Sequence, residues 1–224
     1  MKILEQDTGN YTLFKDNNNF ISFCPSRGGI ITKWVVNNQH ILYFDQKRFL
    51  DKSKSIRGGI PILFPICGNL ENKSLFGDDF LDLMQHGFAR DQEWNYKLNQ
   101  FKNTLCLTLS DNETTRKYYP YLFELKIKIT LSIEKVIFNI DIFNRSSSVM
   151  PINFGLHPYF NISDFQNLKF IDYAKCCLNQ KNNNLAKTEN LLKNSCRGID
   201  LLMYTSGKTS FIDYGLKRKI TLTN

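Results

Sequence analysis

The apolar positions along the chain recur every second residue far more often than every third or fourth. Phe123-Glu124-Leu125-Lys126-Ile127-Lys128-Ile129-Thr130-Leu131-Ser132-Ile133 alternates apolar and polar side chains almost without a break, the pattern of a strand with one dry face and one wet face. Val136 to Phe143 repeats it, and Ile133-Glu134-Lys135-Val136 predicts a tight hairpin between the two. Shorter runs rich in β-branched and aromatic residues, Phe20–Phe23, Ile30–Val36, Ile41–Phe44 and Leu105–Leu109, are bounded by Asn, Asp, Gly or Pro and predict further strands. Helical periodicity is not sustained over three turns anywhere. Many short antiparallel strands with frequent turns predict an all-β sandwich. No fixed-period repeat or Gly/Ser/Pro linker divides the 224 residues, so a single domain spanning 1–224 is expected.

Composition changes this picture little. Hydrophobic residues make up 42% and charged residues 22%, ordinary values that exclude a disordered or fibrous chain. The net charge of +8 would suit an anionic partner: nucleic acid, an acidic membrane surface or a phosphorylated small molecule. The basic residues are scattered, however, with one tight cluster at Leu216-Lys217-Arg218-Lys219 and no nucleic-acid module. We therefore expect a solvated basic face and no nucleic-acid partner. No stretch has the length of a membrane span, and the N-terminus turns polar before a signal-peptide core could form, so no membrane association and a cytoplasmic location are expected. The six cysteines are dispersed without metal-ligand spacing, which predicts reduced thiols and no metal. Adjacent Cys176 and Cys177 would point to opposite faces of a strand, and both are expected to be buried apolar fillers.

Four loop-like segments carry chemistry. In Arg57-Gly58-Gly59-Ile60-Pro61-Ile62-Leu63-Phe64-Pro65, two glycines and two prolines fix the backbone path, so Arg57 projects from a stiff base. Its guanidinium could hold a phosphate or sugar hydroxyls, or merely cap a surface turn. His86-Gly87-Phe88-Ala89-Arg90-Asp91-Gln92-Glu93-Trp94 combines an imidazole, a guanidinium and an indole, each a common sugar or phosphate contact and each also a common structural residue. In Asn153-Phe154-Gly155-Leu156-His157-Pro158-Tyr159-Phe160, the proline restricts His157 to extended conformations, which suits a positioned acid or base as well as a core histidine among aromatics. Asp200 opens the apolar run after Gly198, where an acidic residue is either a turn residue or a site residue.

The order and content of RGGIPILFP (57–65), HGFARDQEW (86–94), FGLHPYFNISD (154–164) and GIDLLMY (198–204) resemble the aldose 1-epimerases, and within them the glucose-6-phosphate 1-epimerase or hexose-6-phosphate mutarotase branch. The resemblance covers nearly the whole chain. It implies a galactose mutarotase-like antiparallel β-sandwich of the supersandwich type and interconversion of the α and β anomers of a hexose or hexose 6-phosphate, in carbohydrate metabolism and without a cofactor. By the same resemblance His157 matches the general acid, and His86 the second histidine that hydrogen-bonds the sugar near its ring oxygen. Arg57 and Arg90 match a phosphate-holding pair, Asp200 matches a residue contacting sugar hydroxyls, and Trp94 would help to frame the cleft. The expected partner is a sugar or sugar phosphate, and oligomeric state is left open. The family pattern continues past Lys219-Ile220-Thr221-Leu222-Thr223-Asn224, through further strands, to a general-base glutamate with no counterpart in this sequence. The alternative is then a catalytically weak sugar-binding protein, or recruitment of another carboxylate such as Glu71, Asp78, Asp79 or Asp82.

Overall fold

The computed structural model describes residues 3–6, 10–70, 82–99, 102–193 and 198–224. The chain divides into two compact units, Met1–Asn161 and Ile162–Asn224.

In the first unit, five strands follow one another as an antiparallel meander: β1 (Ile3–Gln6), β2 (Asn10–Asp16), β3 (Asn19–Cys24), β4 (Ile30–Val36) and β5 (Gln39–His40). Helix α1 (Gln46–Leu50) and the two-residue strand β6 (Ile62–Leu63) come next, and then β7 (Asn95–Asn99) and β8 (Thr104–Ser110). Helix α2 (Glu113–Tyr118) separates these from β9 (Phe123–Leu131) and β10 (Val136–Asn144), which complete a second antiparallel sheet in the order β10-β9-β8-β7. The two-residue strand β11 (Gly155–Leu156) pairs with β6.

The second sheet shows why the sequence alternates. On β9, Leu125, Ile127 and Ile129 are fully buried, while Lys126 and Lys128 face solvent. Leu105 and Leu107 of β8 stand opposite Ile129 and Ile127 and point into the same core. From the first sheet come Leu13, Ile21 and Phe23, so one apolar layer joins the inner faces of both sheets into a sandwich. Each fully buried aliphatic side chain here contributes about 1.5–3 kcal/mol relative to exposure. On the wet face, Glu124 pairs with both Lys126 and Arg145 at 2.9 Å. The predicted hairpin forms, with Leu131 opposite Val136 and the Ser132 N–H donating to the Lys135 carbonyl.

One expected strand does not form as a ladder. Ile41–Phe44 is extended but changes partner at almost every residue: Ile41 N–H donates to Trp34, Tyr43 N–H to Tyr159, and the Tyr43 carbonyl accepts from Gly59. Leu42 and Phe44 make only isolated bridges, to Phe160 and Gly58. Partner switching, not poor β propensity, breaks the ladder.

The second unit holds β12 (Leu168–Ile171), β13 (Cys176–Asn179), β14 (Asn184–Lys187), α3 (Thr188–Leu192), β15 (Leu201–Leu202), β16 (Lys208–Asp213) and β17 (Arg218–Thr223). They form two three-stranded sheets, β12-β16-β17 and β14-β13-β15. The buried Asp213 carboxylate accepts from the Ser163 N–H, the Ser163 hydroxyl and the Leu216 N–H, tying the β16–β17 turn to the segment ahead of β12. Burial opposes its charge, but these hydrogen bonds and nearby Arg218 hold its carboxyl below the usual carboxylate range. The cysteine pair on β13 corrects the sequence expectation. Cys177 is buried at 2% exposure, but Cys176 is exposed, because opposite faces of this strand meet apolar packing and solvent respectively. Five described cysteines are free thiols; Cys196 lies outside the described residues.

Replacing Ile127 by Ala should lower unfolding free energy by about 2–5 kcal/mol, whereas Lys128→Ala should stay within about 0.5 kcal/mol. Urea denaturation of the two variants checks the assignment of inner and outer faces of β9.

Candidate functional site

The site is built on backbone before side chains enter. Residues 57–66 form a backbone rail with β6 at its centre. Gly58 and Gly59 have φ of +121° and +68°, and a Cβ on either would lie 2.5 Å from Phe44 Cα or 2.4 Å from the Ile31 carbonyl oxygen. Only glycine fits, and the rail is thereby pressed onto its neighbours. Pro61 and Pro65 have no N–H, so they offer carbonyls alone. Those carbonyls accept from His157 N–H at 3.0 Å and Asn153 N–H at 2.7 Å, and the Gly59 carbonyl accepts from Tyr159 N–H at 2.9 Å. Segment 153–159 is thus laid along one side of the rail, with Gly155 and Leu156 opposite Leu63 and Ile62.

Segment 86–90 lies against Phe64. The Phe64 carbonyl accepts from the N–H groups of Phe88 and Ala89, and Gly87 bridges Phe64 in parallel register. A Cβ on Gly87 would sit 2.2 Å from the Phe64 oxygen, so this approach also requires glycine. The three segments singled out in the sequence therefore meet, although 29 and 71 residues separate Arg57 from His86 and His86 from His157.

Their meeting brings the two imidazoles together. The His86 and His157 rings lie 5.7 Å apart, edge to face at 68°. His157 is exposed and stacks on Tyr159 at 4.9 Å. His86 is half-buried, and its backbone has φ of +69°, a conformation that costs a non-glycine residue about 1–3 kcal/mol. Two hydrogen bonds to Gly68 hold it there: His86 N–H donates to the Gly68 carbonyl at 2.7 Å, and Gly68 N–H donates to His86 Nδ1 at 2.9 Å. Burial, with smaller contributions from the Arg90 and His157 charges, holds the His86 imidazole below its ordinary value.

Arg90 sits on a 3-10 turn (Ala89–Asp91) with 18% of its side chain exposed. One terminal nitrogen donates to the Gln85 carbonyl at 2.9 Å, and Nε lies 3.5 Å from Asp91. Among the described residues, these contacts orient its guanidinium without wholly consuming it. Arg57 opens the rail with an exposed side chain, and its carbonyl accepts from the Asp45 N–H at the start of α1. Asp200 belongs to the second unit, where it is exposed and its carbonyl accepts from Gln180 N–H ahead of β15.

Trp94 corrects the sequence expectation. It is 2% exposed, its indole N–H donates to the Ala89 carbonyl at 2.9 Å, and a Cβ on Gly29 would reach within 3.0 Å of the indole. The indole is a buttress under the Ala89–Asp91 turn, sealed from any cleft. Of the carboxylates considered as substitute bases, Glu71, Asp78 and Asp79 lie outside the described residues, and Asp82 is exposed four positions before His86. Gly68, and Cys67 whose sulfur packs within 2.8 Å of a Cβ position on Gly155, were not singled out from the sequence. A small cavity of about 30 Å³ lined by Asn10, Thr32, Lys33, Phe44 and Phe49 includes none of the predicted site residues.

The aldose 1-epimerase family model matches residues 11–224. The chain belongs to the aldose 1-epimerase family. The match spans both compact units. The Slr1438 protein of Synechocystis sp. superposes over 100% of this chain and 79% of its own with a TM-score of 0.90 and 34% identity. A galactose mutarotase-like protein of Lactobacillus casei superposes over 96% of this chain and 79% of its own with a TM-score of 0.72 at 19% identity, a likeness of fold. The fold of this epimerase-family chain is accordingly galactose mutarotase-like. A protein of Cenchrus ciliaris named "Putative glucose-6-phosphate 1-epimerase" is 29% identical over 157 residues, covering 63% of this chain and 44% of the relative. The chain spans less than half the length of the curated relatives it matches.

The depressed His86 value has a measurable sign. An unfolded chain takes up this proton near the ordinary value of 6.5, and the folded chain only at lower pH. Stability therefore declines as pH falls through 6.5 and levels off below the folded value. Urea midpoints followed from about pH 7.5 to about pH 5 should fall less steeply in His86→Gln than in the unsubstituted protein.

Proposed function

We propose that this chain interconverts the α and β anomers of an aldose, a hexose or hexose 6-phosphate, by general acid–base ring opening at the His86–His157 pair. The observation that carries the reading is the convergence of two imidazoles 5.7 Å apart on a glycine- and proline-fixed scaffold, in a chain of this family. Ring opening requires a proton to reach the ring oxygen as the bond from that oxygen to C1 breaks, while the anomeric hydroxyl gives up its own proton to a base. Rotation about the bond from C1 to C2 presents the other face of the aldehyde, and the two transfers reverse.

In this reading His157 is the acid for the ring oxygen. Its exposure leaves it open to substrate, and stacking on Tyr159 limits the rotation of its ring. His86 donates a hydrogen bond near the same oxygen, a role that fits an imidazole kept neutral. Arg90 and Arg57 take the 6-phosphate through charge-assisted hydrogen bonds, and the net charge of +8 favours the approach of an anion. The family resemblance alone makes Asp200, in the second unit, a candidate contact to sugar hydroxyls. The acceptor for the anomeric proton is the remaining requirement, and a site without one loses a factor of roughly 10² to 10⁴ in rate.

Magnetisation-transfer NMR of glucose 6-phosphate and of galactose checks the reading directly. Protein should accelerate anomer exchange, and His157→Ala should reduce the acceleration by about 10²-fold or more. Line broadening without acceleration would replace the enzyme by a sugar-binding protein of the same fold. Arg90→Ala should weaken binding of the phosphorylated sugar by about 10- to 100-fold, the worth of a charged hydrogen bond, and leave galactose little changed.

A further inference from the structure

We infer that Gly68 is a positioning residue that locks His86 in the tautomer with its proton on Nε2. The locking device is a two-way clamp between residues 18 positions apart. The His86 N–H donates to the Gly68 carbonyl at 2.7 Å, and the Gly68 N–H donates back to His86 Nδ1 at 2.9 Å.

A peptide N–H has only a donor's role, so the nitrogen facing it must present a lone pair. Nδ1 is that nitrogen, and the single proton of the neutral ring is left to Nε2. Protonating Nδ1 would set two N–H groups against each other and break the clamp. The groups facing the ring add to this bias: Arg90 and His157 both disfavour a second positive charge there, and the Cys67 thiol precedes Gly68 without carrying charge that would favour one. The clamp also explains the left-handed backbone of His86, since φ of +69° turns the peptide towards Gly68 while the ring folds back onto the same residue. Gly68 itself has φ of +90°, open to glycine and disfavoured for L side chains, yet among the described residues no atom lies within 4 Å of a Cβ placed there. A substitution at Gly68 is thus strained by conformation and meets no clash among the described residues.

Two chemically equal imidazoles become unequal. His86 is a fixed donor, and proton exchange in the pair falls to His157. This division of roles rests on the epimerase reading, whereas the tautomer itself does not.

The sequence contains three histidines, so long-range ¹H–¹⁵N correlation of the imidazoles can be assigned with His40→Gln, His86→Gln and His157→Gln variants. The expected spectrum shows the His86 Nδ1 unprotonated and Nε2 protonated at about pH 8, above the ordinary imidazole value. In Gly68→Ala the His86 signals should move towards a tautomer mixture, with the titration midpoint shifted up towards that of an ordinary histidine. A mixed or Nδ1–H tautomer in the unsubstituted protein would overturn the clamp, as would a tautomer and midpoint unmoved by Gly68→Ala. A locked tautomer in a protein that does not accelerate anomer exchange leaves the clamp standing and removes the epimerase reading. Acceleration with a mixed tautomer does the reverse.

Discussion

The backbone rail from Gly58 to Pro65 is the constraint on which the site depends. Its carbonyls at Gly59, Pro61, Phe64 and Pro65 receive N–H groups from two segments that are remote in sequence. Because the prolines cannot donate, those positions have a single hydrogen-bonding sense, which fixes how the incoming segment must lie. The histidines do not assemble the site by finding each other. They ride on main chain that is already docked.

That docking reaches into the core. Ile62, Leu63 and Phe64 are buried on the rail, and Phe64 packs against Phe88, Tyr119 and Phe123. Tyr119, wholly buried, donates its hydroxyl to the Pro151 carbonyl at 2.7 Å, anchoring the approach to the His157 segment, and burial raises its phenol above the ordinary value. Beneath the His86 segment, Trp94 holds the Ala89 carbonyl and the Gly28–Gly29 turn closes over it, with Gly28 so near that a Cβ would meet the Arg90 carbonyl at 2.2 Å. The strain stored at His86 is therefore offset by apolar packing that has no part in any chemistry. A well-packed core is what lets a strained histidine persist.

The sequence disclosed most of this unevenly, for physical reasons. Strands β9 and β10 were legible because period-2 alternation follows directly from having one dry face, β8 was legible from its composition and bounding turns, and the scattered lysines, such as Lys126 and Lys128 on the wet face of β9, read correctly as solvated. Ile41–Phe44 has strand composition, but composition carries no information about whether partners persist from one residue to the next. Cys176 and Cys177 were correctly placed on opposite faces, and which faces were dry was decided by packing. Trp94 misled because an indole near His86 suits a sugar cleft and a turn buttress equally well in sequence; its N–H went to Ala89. The ordered motifs made the family legible, and their glycines and prolines marked the rail. Gly68 left no signal at all, since it contributes only backbone, an N–H and a carbonyl that meet a histidine 18 residues away.

Side-chain chemistry alone would make the two histidines interchangeable. The fold distinguishes them through what each leaves free: at His86 a peptide group occupies Nδ1 and burial disfavours charge, while at His157 the ring is exposed and braced by an aromatic neighbour. Acid–base chemistry on a sugar needs one group that stays a donor and another that can change its protonation, and a pair of identical imidazoles in identical surroundings could not divide those tasks. The asymmetry comes from backbone geometry, specifically from a left-handed turn at His86 that the rail and Gly87 make possible. Specialisation of the pair thus rests on Gly68 as well as on the glycines that let three distant segments pack within hydrogen-bonding reach.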